Sequence, residues 1–478
     1  MKNWSDKSVL VLGLGETGLS MLRWLSAQGA RLRAADSRSA PSGLAEAGRY
    51  VAAGQVFCGA FGEALLDGID LIAISPGVPM RDPLVAKAVA RGIPVVGDIE
   101  LFAQQLAASG LRSNTKVLAI TGSNGKTTVT AMVEHLCRAA GKDVVAAGNI
   151  SPAVLDVVLQ RGAQQPEIWI LELSSFQLET TYSLNADAAT VLNVSEDHLD
   201  RYAGIDEYAA AKARIFQGSG VQILNRDDAR SAGMALPGRT HTTFGTTAVP
   251  ILSMSGWNGL DSSGGIEGDF GIERHAGSIW LMQGGERLLK TSELQVTGLH
   301  NATNALAALA LCRAIDLPMH KLIAALRSFK GLPHRVEHIA EIGGIAYYDD
   351  SKGTNVGATV AALQGLGRKA VLIAGGEGKG QDFAPLKPAV AQHARAVVLI
   401  GRDAPLIEAA LNGCHVQVRR AKDMSDAVQQ AAQLAQSGDA VLLSPACASF
   451  DMFRNYAHRA EVFVGAVHDL GGEGAWSR

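Results

Sequence analysis

Short, unbroken apolar runs alternate along this chain with longer stretches in which apolar residues return every three or four positions. The runs are SVLVLGLG (8–15), LIAISPG (71–77), KVLAITGSNG (116–125), EIWILELSS (167–175), AVLIAGG (370–376), AVVLIG (396–401) and AVLLSPA (440–446), and each leads into glycine, serine or asparagine. Runs that are apolar at consecutive positions predict strands covered on both faces, as in parallel sheets flanked by helices. VTAMVEHLCRAAG and NATNALAALALCRAI carry the helical spacing between them. Alternating strands and helices predict an α/β chain, with ligands at the carboxyl ends of the strands. The glycines and polar residues gather at those ends.

Breaks in the pattern divide the chain. Polar AASGLRSNT (107–115) closes a first unit, and FKGLPHRVE (329–337) contains Pro333, which blocks helix continuation. The glycine- and serine-rich stretch within 245–290 predicts β-hairpins or loops on the middle unit. The expected organisation is three α/β domains near 1–105, 106–331 and 332–478. The first and last are expected to be Rossmann-like, and the central one a P-loop ATPase type.

Composition narrows the function classes. A chain of 478 residues with formal net charge −3 and 5% aromatics does not suggest a nucleic-acid binder. No apolar stretch reaches the roughly 18 to 20 residues of a membrane span. The apolar run near the start is too short for a signal peptide. Five cysteines (58, 137, 312, 414 and 447) lie far apart, without a C-x-x-C pair, as expected in a reducing compartment. A soluble, cytoplasmic, multidomain protein is expected.

Two glycine loops point to phosphates. GLGETG (Gly13, Gly15, Gly18) follows the first apolar run, and Asp36 lies 23 residues beyond Gly13. This spacing suits a pyrophosphate at a helix N-terminus, in a dinucleotide or a nucleotide-sugar. An NAD-dependent oxidoreductase would explain this first segment but would leave the second loop without a task. That second loop, TGSNGKTT, is a shortened form of G-x-x-x-x-G-K-[ST], because six positions before Lys126 stands Ile120 rather than glycine. Its backbone N–H groups, Lys126 and Thr127 suit a nucleoside triphosphate with Mg²⁺.

Further clusters sit at the ends of other runs. Glu172 in LELSSFQLE is a candidate Mg²⁺ ligand, because hard cations take carboxylate oxygens beside phosphates. NVSEDHLDRY places His198 among Glu196, Asp197 and Asp200, acids that helix capping would also explain. Lys212 by itself reads as a surface helix lysine. Asn301 and Asn304 begin a helix, His334 and Arg335 stand at a domain junction, and DDSKGTN and GGEGKG crowd Asp349, Asp350, Lys352, Thr354, Glu377 and Lys379.

In this order, TGSNGKTT, LELSSFQLE, NVSEDHLDRY, HNATNALAA, LPHRVE, DDSKGTNVGAT, GGEGKG and SPACASFDMF resemble the Mur ligase family over nearly the whole chain. LSSFQLE and SPACASFD resemble its glutamate-adding branch. The resemblance implies an ATP-dependent amide ligase of cytoplasmic peptidoglycan precursor synthesis. It would join D-glutamate to UDP-N-acetylmuramoyl-L-alanine through an acyl phosphate. The alternative is a related ligase taking L-glutamate or another amino acid.

The resemblance also implies roles. Gly15, Thr17, Asp36, Arg38, Gly77 and Asn149 would hold the UDP substrate. Residues Gly122, Ser123, Asn124, Gly125, Lys126, Thr127 and Thr128, with Asn304, Arg335 and Asp350, would hold ATP. Lys126, Glu172, His198 and Lys212 would be catalytic. Thr127, Glu172, His198 and a carbamylated Lys212 would hold Mg²⁺. Lys352, Thr354, Lys379 and Ser449, with Phe450 and Tyr456, would line the amino-acid site. Phe450 and Tyr456 stand where leucine and phenylalanine are expected, which leaves the stereochemistry of the glutamate open. The implied partners are ATP, glutamate and the UDP substrate. A monomer without nucleic acid or membrane insertion is expected.

Overall fold

A computed structural model describes residues 4–108, 115–198, 201–247 and 268–471. All seven apolar runs are strands, and they fall in three sheets. The first sheet is wholly parallel, in the spatial order Val56–Cys58, Arg31–Asp36, Ser8–Leu12, Leu71–Ile74, Val95–Val96. Chain order reverses beside Ser8–Leu12. The glycine turn 13–15 therefore opens at a topological switch point, where α/β sheets bind ligands.

Among the described residues the second sheet has nine strands, with Lys116–Thr121 between Ile168–Glu172 and Ala188–Val191, third from one edge. Its far edge is an antiparallel meander, Phe270–His275, Ser278–Gln283 and Glu286–Lys290. This meander is the described part of the hairpin stretch expected within 245–290; residues 248–267 lie outside the description, as do Asp200 and most of the polar break 107–115. The third sheet has six strands, parallel except for the pair Glu337–Ile342 and Ile345–Asp349.

Packing joins these units unequally. Trp24 and Phe102 belong to the same apolar core as Trp169 and Leu171 of the second sheet. Phe102, on the helix Asp98–Ala108, meets Trp169 edge to face with ring centroids 5.0 Å apart. Such pairs favour a fixed geometry beyond what area burial provides. The apolar clusters on the two faces of the third sheet contain only residues from Val336 onward. Hydrogen bonds from Asn355 to Asn124 and from Lys379 to Asp197 tie it to the central domain.

Candidate active site

The second glycine loop begins where the Lys116–Thr121 strand ends and the helix Lys126–Ala139 starts. Gly125 has φ +83°, and a Cβ there would lie 2.8 Å from Asn304 Oδ1. Both conformation and space therefore require glycine. The loop is stitched to the chain after the Ala188–Val191 strand. Asn124 N–H donates to Asn193 Oδ1 (2.8 Å), and Ser195 N–H donates to Ser123 Oγ (3.0 Å). The first amides of the helix are thereby presented to an anion.

Two ammonium groups converge beneath the loop. Lys126 Nζ donates to the carbonyls of Gly122 (2.7 Å) and Ser123 (3.0 Å), and Lys212 Nζ donates to that of Gly122 (2.9 Å). Lys212 is buried, with its Nζ 4.3 Å from the centre of the Tyr208 ring. It is not a surface lysine. Burial, reinforced by Lys126, holds the Lys212 ammonium well below its ordinary pKa. Lys126 is lowered by burial too, while Glu172 and Asp197 act in the opposite direction.

Opposite these cations, Glu172 ends its strand almost wholly buried. Asn149 Nδ2 donates to its Oε1 (3.1 Å), whereas the buried Oε2 has no partner among the described residues. An unpartnered carboxylate oxygen beside a phosphate loop fits a divalent cation. His198 has φ +57° and lies edge-on to Phe176, its Nε2 3.6 Å from Asp197 Oδ2. Burial lowers its pKa and favours the neutral imidazole, the form that ligates metal. Asp197, open to a capping explanation in the sequence, instead holds Lys379 Nζ at 3.1 Å. Gly204 is the cap of the following helix.

A cavity of about 590 Å³ gathers Lys126, Thr127, Asn149, Glu172 and His198 from the central domain. Arg335, Lys352, Thr354, Lys379 and Tyr456 line its other wall. The Lys352 ammonium lies 3.9 Å from the centre of the Tyr456 ring, and burial, with Arg335 beside it, lowers its pKa to about 8. Arg335 follows His334 (φ +62°), whose Nδ1 meets Asp349 Oδ2 at 2.6 Å. Burial lowers the Arg335 pKa, and Asp350 and Glu172 oppose that change.

A second cavity of about 650 Å³ adjoins the first and shares Asn124, Gly125, Arg335 and Lys352 with it. Thr128, Asn304 and Asp350 line this cavity. Asp350 accepts from Ser444 Oγ (2.7 Å), and burial raises its pKa to about 7. Asn301 lines it as well, but its amide donates to the Thr297 carbonyl (2.8 Å) and receives Asn304 Nδ2 (3.3 Å).

Other sequence candidates lie apart from these cavities. Asp36 receives Leu14 N–H (2.8 Å) and Arg38 N–H (2.9 Å), with the Arg38 guanidinium on both of its oxygens. Its carboxylate shapes the first glycine turn and aims Arg38. At Gly15 and Gly77 a Cβ would meet nothing within 4 Å, so both turns are open. Thr17 is in the first turn of the helix Glu16–Ala27. Ser449 is buried and its carbonyl accepts Phe453 N–H (2.8 Å), while Phe450 is 70% exposed. Glu377 and Ala448 exchange backbone hydrogen bonds, which brings the Ser449 loop beside that of Lys379. Asn193, Ser195, Tyr208 and Asn355 escaped sequence reasoning, because their neighbours are distant along the chain.

Three family profiles cover most of the sequence: Mur ligase MurD-like, N-terminal domain (7–97), Mur ligase middle domain (120–312) and Mur ligase, glutamate ligase domain (334–447). The UDP-N-acetylmuramoylalanine–D-glutamate ligase of Aromatoleum aromaticum is 56% identical over 475 residues, 98% of this chain and 99% of that protein. The chain belongs to the Mur ligase family. The ligase of the same name from Nitrosospira multiformis is 56% identical over 98% of this Mur ligase and 96% of its own length. Among solved structures, MurF of Acinetobacter baumannii has a TM-score of 0.59 at 17% identity, covering 97% of this chain and 92% of that one. UDP-N-acetylmuramate–alanine ligase MurC of Thermotoga maritima has a TM-score of 0.57 at 17% identity, covering 97% and 100%. These two likenesses establish the three-domain Mur ligase fold. No helix among the described residues is long and apolar enough to cross a membrane.

Proposed function

We propose that this Mur ligase joins D-glutamate to UDP-N-acetylmuramoyl-L-alanine with hydrolysis of ATP to ADP and phosphate. The observation that carries the reading is the single cavity in which the phosphate loop and Glu172 face Lys352, Thr354 and Lys379 of the third domain. Near-full-length identity to D-glutamate ligases supports D-glutamate over the L-glutamate alternative. A cytoplasmic monomer goes with this reading.

A carboxylate is a poor acyl donor. An oxygen of the L-alanyl carboxylate therefore attacks the γ-phosphorus of ATP, ADP leaves, and an acyl phosphate forms. The glutamate amine then attacks the acyl carbon, and phosphate departs from the tetrahedral intermediate. Thr127 and Glu172, and His198 with a carbamylated Lys212, would hold Mg²⁺, which would supply charge neutralisation between the anionic reactants.

The chain's own groups position the rest. Residues 122–128 cradle the phosphates, with Lys126 as their cation, and Asn304, Arg335 and Asp350 hold the nucleoside and its phosphates. Gly15, Thr17, Arg38 and Gly77, with Asp36 behind Arg38, receive the UDP moiety, and Asn149 orients Glu172. Lys352, Lys379, Thr354 and Ser449 bind the glutamate carboxylates, with Phe450 and Tyr456 at the edge of that site. Units near 1–105, 106–331 and 332–478 thus carry chiefly the UDP substrate, ATP and glutamate in turn, with Arg335 and Asp350 of the third reaching ATP, and their closure excludes water from the acyl phosphate.

The test is phosphate release from ATP with UDP-N-acetylmuramoyl-L-alanine and, separately, D-glutamate, L-glutamate or D-alanine. Release that depends on D-glutamate, with a product heavier by one glutamyl residue, is expected. Release with L-glutamate alone overturns the stereochemistry, and release with none of the three overturns the acceptor.

A further inference from the structure

The third domain touches the phosphate loop directly. Asn355 Nδ2 donates to Asn124 Oδ1 across the domain boundary at 2.9 Å, and the two residues are 231 positions apart. Asn355 is 4% exposed and has a second task. Its Oδ1 accepts Ala358 N–H (2.9 Å) and caps the helix Val356–Gly365. One amide therefore ends a third-domain helix with its oxygen and grips the central domain with its nitrogen.

The helix start packs closely on the loop. A Cβ at Gly357 would lie 3.0 Å from Ser195 Oγ and 3.2 Å from Asn124 Nδ2, a tight fit that the missing side chain relieves. At the other end, a Cβ at Gly365 would come within 2.6 Å of His300 Nδ1, on the central-domain helix that carries Asn304. Between these ends, Gly357, Ala358, Ala361 and Gln364 wall the larger cavity. Lys352 and Thr354, just before Asn355, line the smaller one.

We propose that Asn355 is a positioning residue that docks the third domain on the phosphate loop through Asn124, so that nucleotide and amino-acid sites are assembled together. The proposal rests on the reaction given above for its kinetic arm only. Without the Asn355 donor, the half-buried Asn124 Oδ1 loses its third-domain partner and turns to water in the cavities it lines. Loss of one neutral hydrogen bond corresponds to about fivefold in an equilibrium constant.

The experiment compares full-length N355S and N355A with the parent chain. Serine keeps an oxygen that caps the helix but is too short to reach Asn124; alanine loses both functions. Expected for N355S are KM values for ATP and glutamate raised together by about fivefold, KM for the UDP substrate within twofold, and an unchanged Tm. In N355A, Tm falls as well. Small-angle scattering of N355S without substrates is expected to show a larger radius of gyration than the parent. Parental kinetics and radius in N355S overturn the proposal, because only the cap then matters. If the parent shows no ligase activity with any acceptor, the function assigned above fails, and the scattering comparison alone decides the docking role.

Discussion

Lys126 and Lys212 donate to the same acceptor, the carbonyl of Gly122, at 2.7 and 2.9 Å. Two ammonium groups on one oxygen repel each other, and both are buried. The neutral amine of Lys212 is favoured, and a neutral amine has the lone pair that adds to CO₂. A carbamate formed there, with release of one proton, would be an anion and would turn repulsion from Lys126 into attraction.

Lys212→Ala is therefore expected to lose about a thousandfold in ligase rate. It should regain part of that rate when a short carboxylic acid is supplied at high concentration. Phosphate release with and without added acetate checks this, and an unrescued mutant of full activity refutes it.

The same burial makes a statement about stability. The Lys212 pKa is lower in the folded than in the unfolded chain, so between those values the unfolded state binds more protons. Stability then rises with pH through that window, up to about 10.4, and the penalty is complete below the folded value. Without CO₂, Lys212→Met should raise Tm at neutral pH, by about 2–4 °C if about 1 kcal/mol is recovered, and should flatten the pH dependence. A lower Tm at pH 7 contradicts a net cost of burying the lysine.

Glu172→Gln keeps an acceptor for Asn149 but removes the charge of the unpartnered Oε2. The expected outcome is a roughly hundredfold or greater loss of rate with a weakened Mg²⁺ dependence. A magnesium titration of phosphate release reads both, and a parental titration curve excludes Glu172 as a ligand.

Lys352 carries its charge below a pKa of about 8. A carboxylate bound to Lys352 would be held at pH 7 and released as pH rises through that value. The kcat/KM for glutamate should decline on the basic side from near pH 8. In Lys352→Arg, whose guanidinium stays charged, that limb should move up in pH. An identical profile in the two proteins assigns the limb to another group.

Asp36→Asn retains the side chain's shape but weakens its grip on Arg38. KM for the UDP substrate is expected to rise about tenfold with kcat nearly unchanged, because each lost charge-assisted hydrogen bond costs about a factor of ten. The Asp36 pKa is lowered, first by the Arg38 hydrogen bonds, so their stabilisation is present above about pH 4 and fades as pH falls through the folded value. Urea unfolding of both proteins from pH 7 downward checks the sign.

Much of this was legible in the chain. Apolar runs at consecutive positions specified the buried strands, because a strand covered on both faces admits no alternation. The spacing Gly122, Gly125, Lys126 specified a glycine turn between a strand and a helix, because its geometry is local to a few peptide units. What folding alone decided is everything that depends on residues far apart in sequence. Lys212, by its own stretch a solvated helix lysine and marked as catalytic by resemblance alone, owes its lowered pKa to burial against Tyr208 and Gly122. Asp197 looked like a cap until Lys379 reached it, and Asn355 gave no sign of its contact with Asn124. A local pattern fixes backbone conformation through near-neighbour sterics and hydrogen bonding. Desolvation and the pairing of charges depend on what the other domains bring to the same few ångströms.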